Sequence, residues 1–552
     1  VNLARDILDF HGQLQGDRCN WENLWQRISD KVLPEHDGFS SYEPYKGGQD
    51  NRDVYDSTTT SAAIKLASAL NDMLTPRNQL WHGLTTSEDE INEDRTFKLW
   101  AEETRNILFA KRYSARSNFA SQIYESFLGL VVFGTTGMFV DKAERGVLRY
   151  RSEHLADLYI TENSHGVVDY AHRVLRYTAL QMKERFTETL PEKVKQALEK
   201  NPLEKFEVVH CIKPNDDYMP GSFDNKRMRF KSVYVCVTSK EVLQEGGYNK
   251  FPLPVSRYRT APRQTYGSSP AIQCFADTQM LNEMEKSILR QGQLAVTPPL
   301  ASHNDAALNA FHLAPGAMNY GSIDDQGRPL VQPLQLGGNF NLGLELSDRR
   351  REIINDSFMV NLFQILLEGP SMTATEVMER AREKGQLLAP AGGRQQSELL
   401  GGIIAAEMDR LEEDGVLPPK PPILLEAEEA GIEVSVNYTS PLNKAQRAEE
   451  GLSIQRTLES VIPLMQIDPK AGRRFKWDEI SAGLAEINGM SENYMYSDEE
   501  LKTMDIQEAQ QQQAAQLLEA APVLAQSGKN FAEAQAIAQS SSGQQLPNII
   551  PQ

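Results

Sequence analysis

Cysteine is scarce: Cys19, Cys211, Cys236 and Cys274 are the only four in 552 residues, far apart and without a CxxC pair. That spacing suits neither a disulfide framework nor thiolate zinc ligation, and it leaves four buried thiols as the expectation. Long hydrophobic runs are missing too. No stretch of about 18 uncharged apolar residues occurs, which excludes a membrane-spanning helix. The opening VNLARDILDFHGQL mixes charged with apolar residues and lacks the apolar core of a secretion signal, so an intracellular, soluble product is expected. Positive charge is in deficit, with 57 Lys and Arg against 76 Asp and Glu and a net charge of -19. Between Glu398 and the end lie 25 acidic and 11 basic residues, so -14 of that charge sits in the last 155 positions. Tight binding to a phosphate backbone needs clustered positive charge, so any contact with nucleic acid must be local or weak.

At 40% hydrophobic and 24% charged residues the chain has ordinary globular usage, and its length suggests about three to four units. The first 130 residues read as mostly helical: residues 60 to 74 place Ile64, Leu66, Ala67, Leu70, Met73 and Leu74 near helical spacing, and 95 to 110 and 117 to 132 read similarly. Between 133 and 263 short runs such as VVDYAHRVL, FEVVHCI and KSVYVCV alternate with turn residues, which predicts a strand-rich unit with one helical stretch near 178 to 200. Pro270 opens a helix over 270 to 291, and a second of similar length follows at 348 to 367. The stretch from 292 to 347 between them is rich in Pro, Gly and Asn and reads as a compact loop-rich insert. Thr373 and Glu376 form a capping-box pattern, and that helix is expected to break at Ala389 to Gly393 and resume toward VLPPKPP. One strand, IEVSVNY, precedes helices begun at Ser440-Pro441 and at Ser497. From Gln507 onward 12 Gln and much Ala in 46 residues predict polar helix grading into a disordered end after Ser540.

Motifs of catalysis are absent. The chain has no GxxxxGK[ST] phosphate loop, no HExxH and no GxSxG. His165 with His172, and His303 with His312, are the closest histidine pairs and are expected to be solvated or hydrogen-bonded. Acidic pairs such as Glu428-Glu429 and Glu499-Glu500 read as solvated helix faces or caps. No cofactor, metal site or enzyme activity is therefore expected. The main basic cluster is Lys226 to Lys231, where strand alternation would put Arg227, Arg229 and Lys231 on one face, with Arg257, Arg259 and Arg263 further on. It is either a nucleic-acid surface or an exposed strand whose cations discourage edge pairing.

Three segments in order, YGSSPAIQCFADTQMLNEMEKSILRQGQLAVTPPL, LAPGAMNYG and MTATEVMERAREKGQLLAPAGGRQQSELLGGI, together with FGTTGMFVD near 133 and the Trp-rich start leading to VLP at 32 to 34, resemble the portal (head-to-tail connector) proteins of short-tailed bacteriophages. The likeness runs from roughly residue 20 to 470. One departure is the turn at Ala389 to Gly393, where the family usually has Gly-Pro and an aliphatic residue.

The resemblance implies an α+β, predominantly helical portal fold with wing, two-helix stem, clip, channel loop and helical crown or barrel, assembling into a ring. On this sequence that assigns 1–269 to the wing, 270–291 and 348–367 to the stem helices, 292–347 to the clip and 368–396 to the channel-loop region. It further assigns 397–470 to a long wing helix with returning wing elements, and 471–552 to crown or barrel helices. The implied function is a dodecameric ring at one capsid vertex of the virion, assembled in the host cytoplasm, through which double-stranded DNA is packaged and ejected. Implied partners are other copies of the chain, the terminase large subunit, scaffolding and major capsid proteins, and tail adaptor and nozzle proteins, with no membrane. Two loops could form the channel constriction: Leu367 to Ser371, which carries only Glu368, and the favoured Lys384 to Gln396, whose channel candidates are Lys384, Gln386, Arg394, Gln395 and Gln396 beside the helix break and the freedom of Gly392 and Gly393. The competing reading makes 389–393 only a kink in one long helix. A helical cytoplasmic adaptor without DNA contact, and a nuclease or ATPase of the packaging machinery, are the competing readings. The first leaves the ordered resemblance unexplained, and the second lacks a phosphate loop.

Overall fold

The structure is a computed structural model that describes residues 2–36, 38–39, 53–187, 189–219, 227–296, 300–302, 340–360 and 391–439, with isolated positions between 318 and 333 and from 453 to 510. The chain divides into two compact units, Val1–Asn92 with Trp100–Phe475, and Glu93–Leu99 with Lys476–Gln552. Length alone suggested more.

The first half runs α1 (Asn2–Val32), α2 (Thr58–Leu74), β1 (His82–Thr85), α3 (Asp89–Glu93), α4 (Arg95–Arg112) and α5 (Phe119–Phe133). Helix α5 is apolar on nearly every side, with nine buried residues, because α2 covers one flank and strands cover another. It ends at Gly134, whose φ of +82° only glycine adopts without strain. Strands β2 (Thr135–Glu144), β3 (Val147–Glu153), β4 (Leu158–Glu162) and β5 (Val168–Thr178) follow, then α6 (Ala179–Arg185) and α7 (Glu192–Lys200). A capping box at Thr178 and Gln181 starts α6. Next come β6 (Lys205–Pro214), β7 (Phe230–Cys236), β8 (Glu241–Tyr248) and β9 (Val255–Arg257).

Strands β4 to β8 form one antiparallel sheet in chain order, and β9 joins β2 and β3 in a second. The five-stranded sheet is covered on both faces. Val174, Val209, Cys211, Val233 and Val235 pack against Ala4, Ile7 and Leu14 of α1. Leu175, Phe206, Val208 and Tyr234 pack against Met182, Val194 and Ala197 of α6 and α7. A sheet apolar on both faces needs no polar alternation, which is why its sequence reads as continuous runs of Val, Tyr and Cys.

Beyond it lie α8 (Pro270–Gln273), α9 (Phe275–Val296), β10 (Leu300–Ser302), β11 (Val331–Pro333), α10 (Phe340–Ser357), α11 (Gly401–Glu413), α12 (Pro422–Glu429) and β12 (Ser435–Tyr438). Strand β12 returns to pair with β1, and β10 pairs with β11.

Several expectations change. The second long helix starts at Phe340, eight residues before Asp348, and packs alongside α9. That helix is interrupted after Ser357, where Met359 has φ +56°, and Val360 is helical again; 361–367 lie outside the described residues. The first extends to Val296 after an interruption at Cys274. Residues 391–394 are helical, so the expected break does not extend through Gly393; the irregularity is a π turn, Gln395–Leu400. Cys19 is exposed, whereas the other three cysteines are buried. The capping box at Thr373, the helix starts at Ser440 and Ser497, His303, His312 and the tail beyond 510 lie outside the described residues.

Candidate functional site: a two-helix arm and the junction beneath it

Helices α9 and α10 lie side by side as an arm, roughly 33 Å and 27 Å long at about 1.5 Å per residue. Ionic and amide contacts fasten its base. Arg351 donates to Glu285 on α9 at 2.7 Å and to Asp348 at 2.7 Å, and lies 3.0 Å from Asp56, which also accepts from the Thr58 amide at 2.8 Å. Arg350 reaches Asp277 at 2.6 Å. The Asn282 amide spans the Asp53 carbonyl (2.8 Å) and the Tyr55 N–H (2.7 Å). Leu281, Ile354 and Phe358 are buried at this end.

The far half is different. Leu289 is 51% exposed, Leu294 43%, Val296 82%, Leu342 51% and Leu346 46%. On α10, Leu342, Leu346 and Ile353 share one side, while Leu344 lies nearly opposite, so apolar surface flanks the buried seam on both sides.

Beneath the arm, two of the resemblance segments meet. The backbones of Gly134 and Gly267 pass so closely that a Cβ on Gly267 would lie 2.3 Å from the Gly134 carbonyl oxygen. The Gly267 N–H donates to Thr135 Oγ1 at 2.8 Å, and Ser269 Oγ donates to the Val132 carbonyl at 2.7 Å while capping α8. FGTTGMFVD and YGSSP, about 130 residues apart, form one joint.

Several arginines of this body are buried on internal partners. Arg18 is 1% exposed and donates to the carbonyls of Leu155, Ala156 and Leu158. Arg112 pairs with buried Glu407, and Arg173 with buried Glu153. Burial and the neighbouring Arg112 push His82 well below its ordinary 6.5, so it stands neutral beside that guanidinium at 2.9 Å.

The sequence-predicted residues scatter. Lys384 and Gln386 lie outside the described residues. Arg394 pairs with Glu398 at 3.2 Å, Gln395 is fully buried and donates to the Arg257 carbonyl, and the Gln396 carbonyl accepts from Tyr438. Gln395 is a packing residue joining helix to strand, and no polar surface forms at its side chain. Arg227 and Arg229 precede β7, where Arg229 lies 3.8 Å from Glu433; only Lys231 is in the strand. That strand is fourth of five, so the edge-protection reading of this cluster is corrected: β8 covers it. Arg257 is buried against Glu162 and Glu398. His172 lies within β5, buried and facing His11. The exposed apolar flanks of the arm were not singled out by sequence reasoning, although Leu342, Leu344 and Leu346 alternate visibly within a segment taken as loop.

Among the described residues no group of His, Cys, Asp and Glu could hold a metal ion, and no helix is long and apolar enough to cross a membrane. The sequence profile of the family described as bacteriophage head to tail connecting protein matches residues 4–495. The probable portal protein of Bordetella phage BPP-1 is 29% identical over 519 residues, covering 92% of each chain. The portal protein of Salmonella phage epsilon15 is 26% identical over 538 residues, covering 95% of this chain and 94% of that one. Chains in the virion and neck of gene transfer agent particles overlay with TM-scores of 0.33 to 0.35 at 9 to 12% identity over 72 to 73% of this chain, too loosely to argue from. With the profile spanning nearly the whole chain, this protein belongs to the bacteriophage head to tail connecting proteins, the structural, non-catalytic portal proteins of the virion.

Proposed function

We propose that copies of this chain close into a ring of about twelve at one capsid vertex and form the conduit for double-stranded DNA, docking the terminase motor first and the tail later. The observation that carries the ring is the arm, whose outer half exposes Leu289, Leu294, Val296, Leu342 and Leu346 among the described residues. Each such side chain gains roughly 1.5–3 kcal/mol when fully buried, so packing arm against arm supplies a large association term. In this reading α9 and α10 are the stem, and the paired β10 and β11 belong to the clip. A two-stranded sheet is marginal alone and is completed by neighbours.

Charge supports the conduit. Twelve subunits at -19 give about -228 for the ring. Arg18, Arg112, Arg173 and Arg257 are held by internal partners, and a net negative wall keeps phosphate adhesion weak, so DNA slides. The adaptor reading gives no account of the family match. The test is DNA packaging into proheads by wild type and by the double substitution Leu342→Asp with Leu346→Asp. The variant should remain folded as a subunit, fail to form rings and package nothing. Rings and packaged DNA at wild-type levels would overturn the assignment of the arm.

A further inference from the structure

Residues 391 to 413 form one helix containing a π turn at Gln395–Leu400, where the Gly401 N–H donates to the Gln396 carbonyl five residues back instead of four. Such a turn holds one residue more than an α-helix would over the same rise, and it persists only where neighbours hold it. Here they are specific. Glu398 accepts from the Arg257 backbone N–H at 3.0 Å, from the Arg257 guanidinium at 3.1 Å and from Arg394 at 3.2 Å. The Tyr438 hydroxyl donates to the Gln396 carbonyl, and buried Gln395 donates to the Arg257 carbonyl at 3.2 Å. Glycine at 401 permits the geometry, because a Cβ there would lie 3.2 Å from the Gln396 oxygen and 3.3 Å from the Tyr438 hydroxyl.

Arg257 belongs to the sheets rather than to the helix. It ends β9, which pairs with β2, and its guanidinium also contacts Glu162 and the Gly166 carbonyl. The junction is nonetheless incompletely satisfied: among the described residues, buried Gln395 Oε1 and Arg257 Nε have no hydrogen-bond partner. Orphaned polar atoms in a clamp lower the energy gap to a different arrangement of the same residues.

We propose that this π turn is a register switch, latched by Glu398 against Arg257. Closing it to an α turn moves 391–394, and the chain leading into them, by one residue: about 100° of rotation and 1.5 Å of rise. The helix from Gly401 onward stays seated, held through Glu407. The device goes beyond the connector reading and does not depend on it.

Deleting Ser397 separates a switch from a fixed bend. Without that residue a plain α-helix keeps 391–396 in their observed places, with Gln395 still buried, and nothing is left over to shift. Hydrogen–deuterium exchange on the full chain should show Glu398→Gln accelerating exchange across 391–401 by at least about tenfold, since charge-assisted bonds of the latch are lost. Peptides from β5 and β6 should be unchanged. In the double variant, Glu398→Gln with Ser397 deleted, the acceleration should vanish. Gly401→Ala, which disfavours the π geometry alone, should accelerate the same peptides with Glu398 intact. The proposal is overturned if Glu398→Gln leaves exchange unaltered, if the acceleration persists in the double variant, if Gly401→Ala slows exchange, or if the deletion removes protection throughout the sheet.

Discussion

Replacing Glu407 with glutamine perturbs the most enclosed ion pair of the body. Arg112 Nε and Nη2 donate to the two carboxylate oxygens at 3.0 and 2.5 Å, and the Tyr150 hydroxyl donates to one of them at 2.7 Å. Both partners are fully buried, and the guanidinium is boxed by the rings of Trp81, Phe109 and Phe119. Glutamine offers one oxygen and an NH2 to three converging donors, so at least one donor faces another, and the Arg112 charge stays buried without its counter-charge. Removing one member of such a pair costs about 3–5 kcal/mol, well above the roughly 1 kcal/mol of a neutral hydrogen bond. Because a chain with two compact units need not melt in one step, the assay is native-state hydrogen exchange of 100–112 and 401–413. A loss of 3 kcal/mol lowers protection there by about two orders of magnitude. The double replacement Arg112→Met with Glu407→Leu should restore most of it, since an apolar pair of similar volume leaves no charge stranded. A Glu407→Gln protein within about 1 kcal/mol of wild type would refute the argument.

Further outcomes follow from other parts of the molecule. Burial holds His11 down at about 4 and His172 at about 3, and pushes His82 and His210 well below the ordinary 6.5. The unfolded chain therefore takes up protons first. Stability should be full above about pH 6.5 and fall toward pH 4, by up to about 1.4 kcal/mol per pH unit for each imidazole; a melting temperature flat or rising over that range would contradict this. Gly267→Ala drives a Cβ to 2.3 Å from the Gly134 carbonyl and 2.9 Å from Arg257 Cβ, and should cost about 3 kcal/mol or more in thermal denaturation, whereas a near-neutral substitution would show that the joint yields. Lys384→Glu with Arg394→Glu should change packaged DNA length and retention, more at low salt than at high; Lys384→Glu alone leaves the Arg394–Glu398 pair intact, so an unchanged phenotype in both rules out phosphate contact by this region.

The strands were legible in the sequence because a sheet covered on both faces needs uninterrupted apolar runs, and VVDYAHRVL, FEVVHCI and KSVYVCV fall within or across β5, β6 and β7. The start of α8 was legible from Pro270. What the arginines do was not. Arg18 and Arg112 look in sequence like available cations, and only partners 137 and 295 residues away take them out of solvent. The pairing of Gly134 with Gly267 likewise has no local signal, although both stand in segments that resemble the family. The π turn escaped notice because its holding contacts come from β9 and β12, and the arm's length was underestimated because Asn341 and Gly343 read as loop residues in the sequence.

The central claim is that this chain closes into a ring through its exposed arm, and native mass spectrometry of the purified full chain tests it most directly. Twelve subunits of 62.0 kDa give about 744 kDa, and that species, or one differing by a single subunit, should dominate at micromolar concentration. The substitutions Leu342→Asp and Leu346→Asp should collapse it to monomer. A wild-type chain that stays at 62.0 kDa under the same conditions, or a substituted chain that still assembles, would contradict the account.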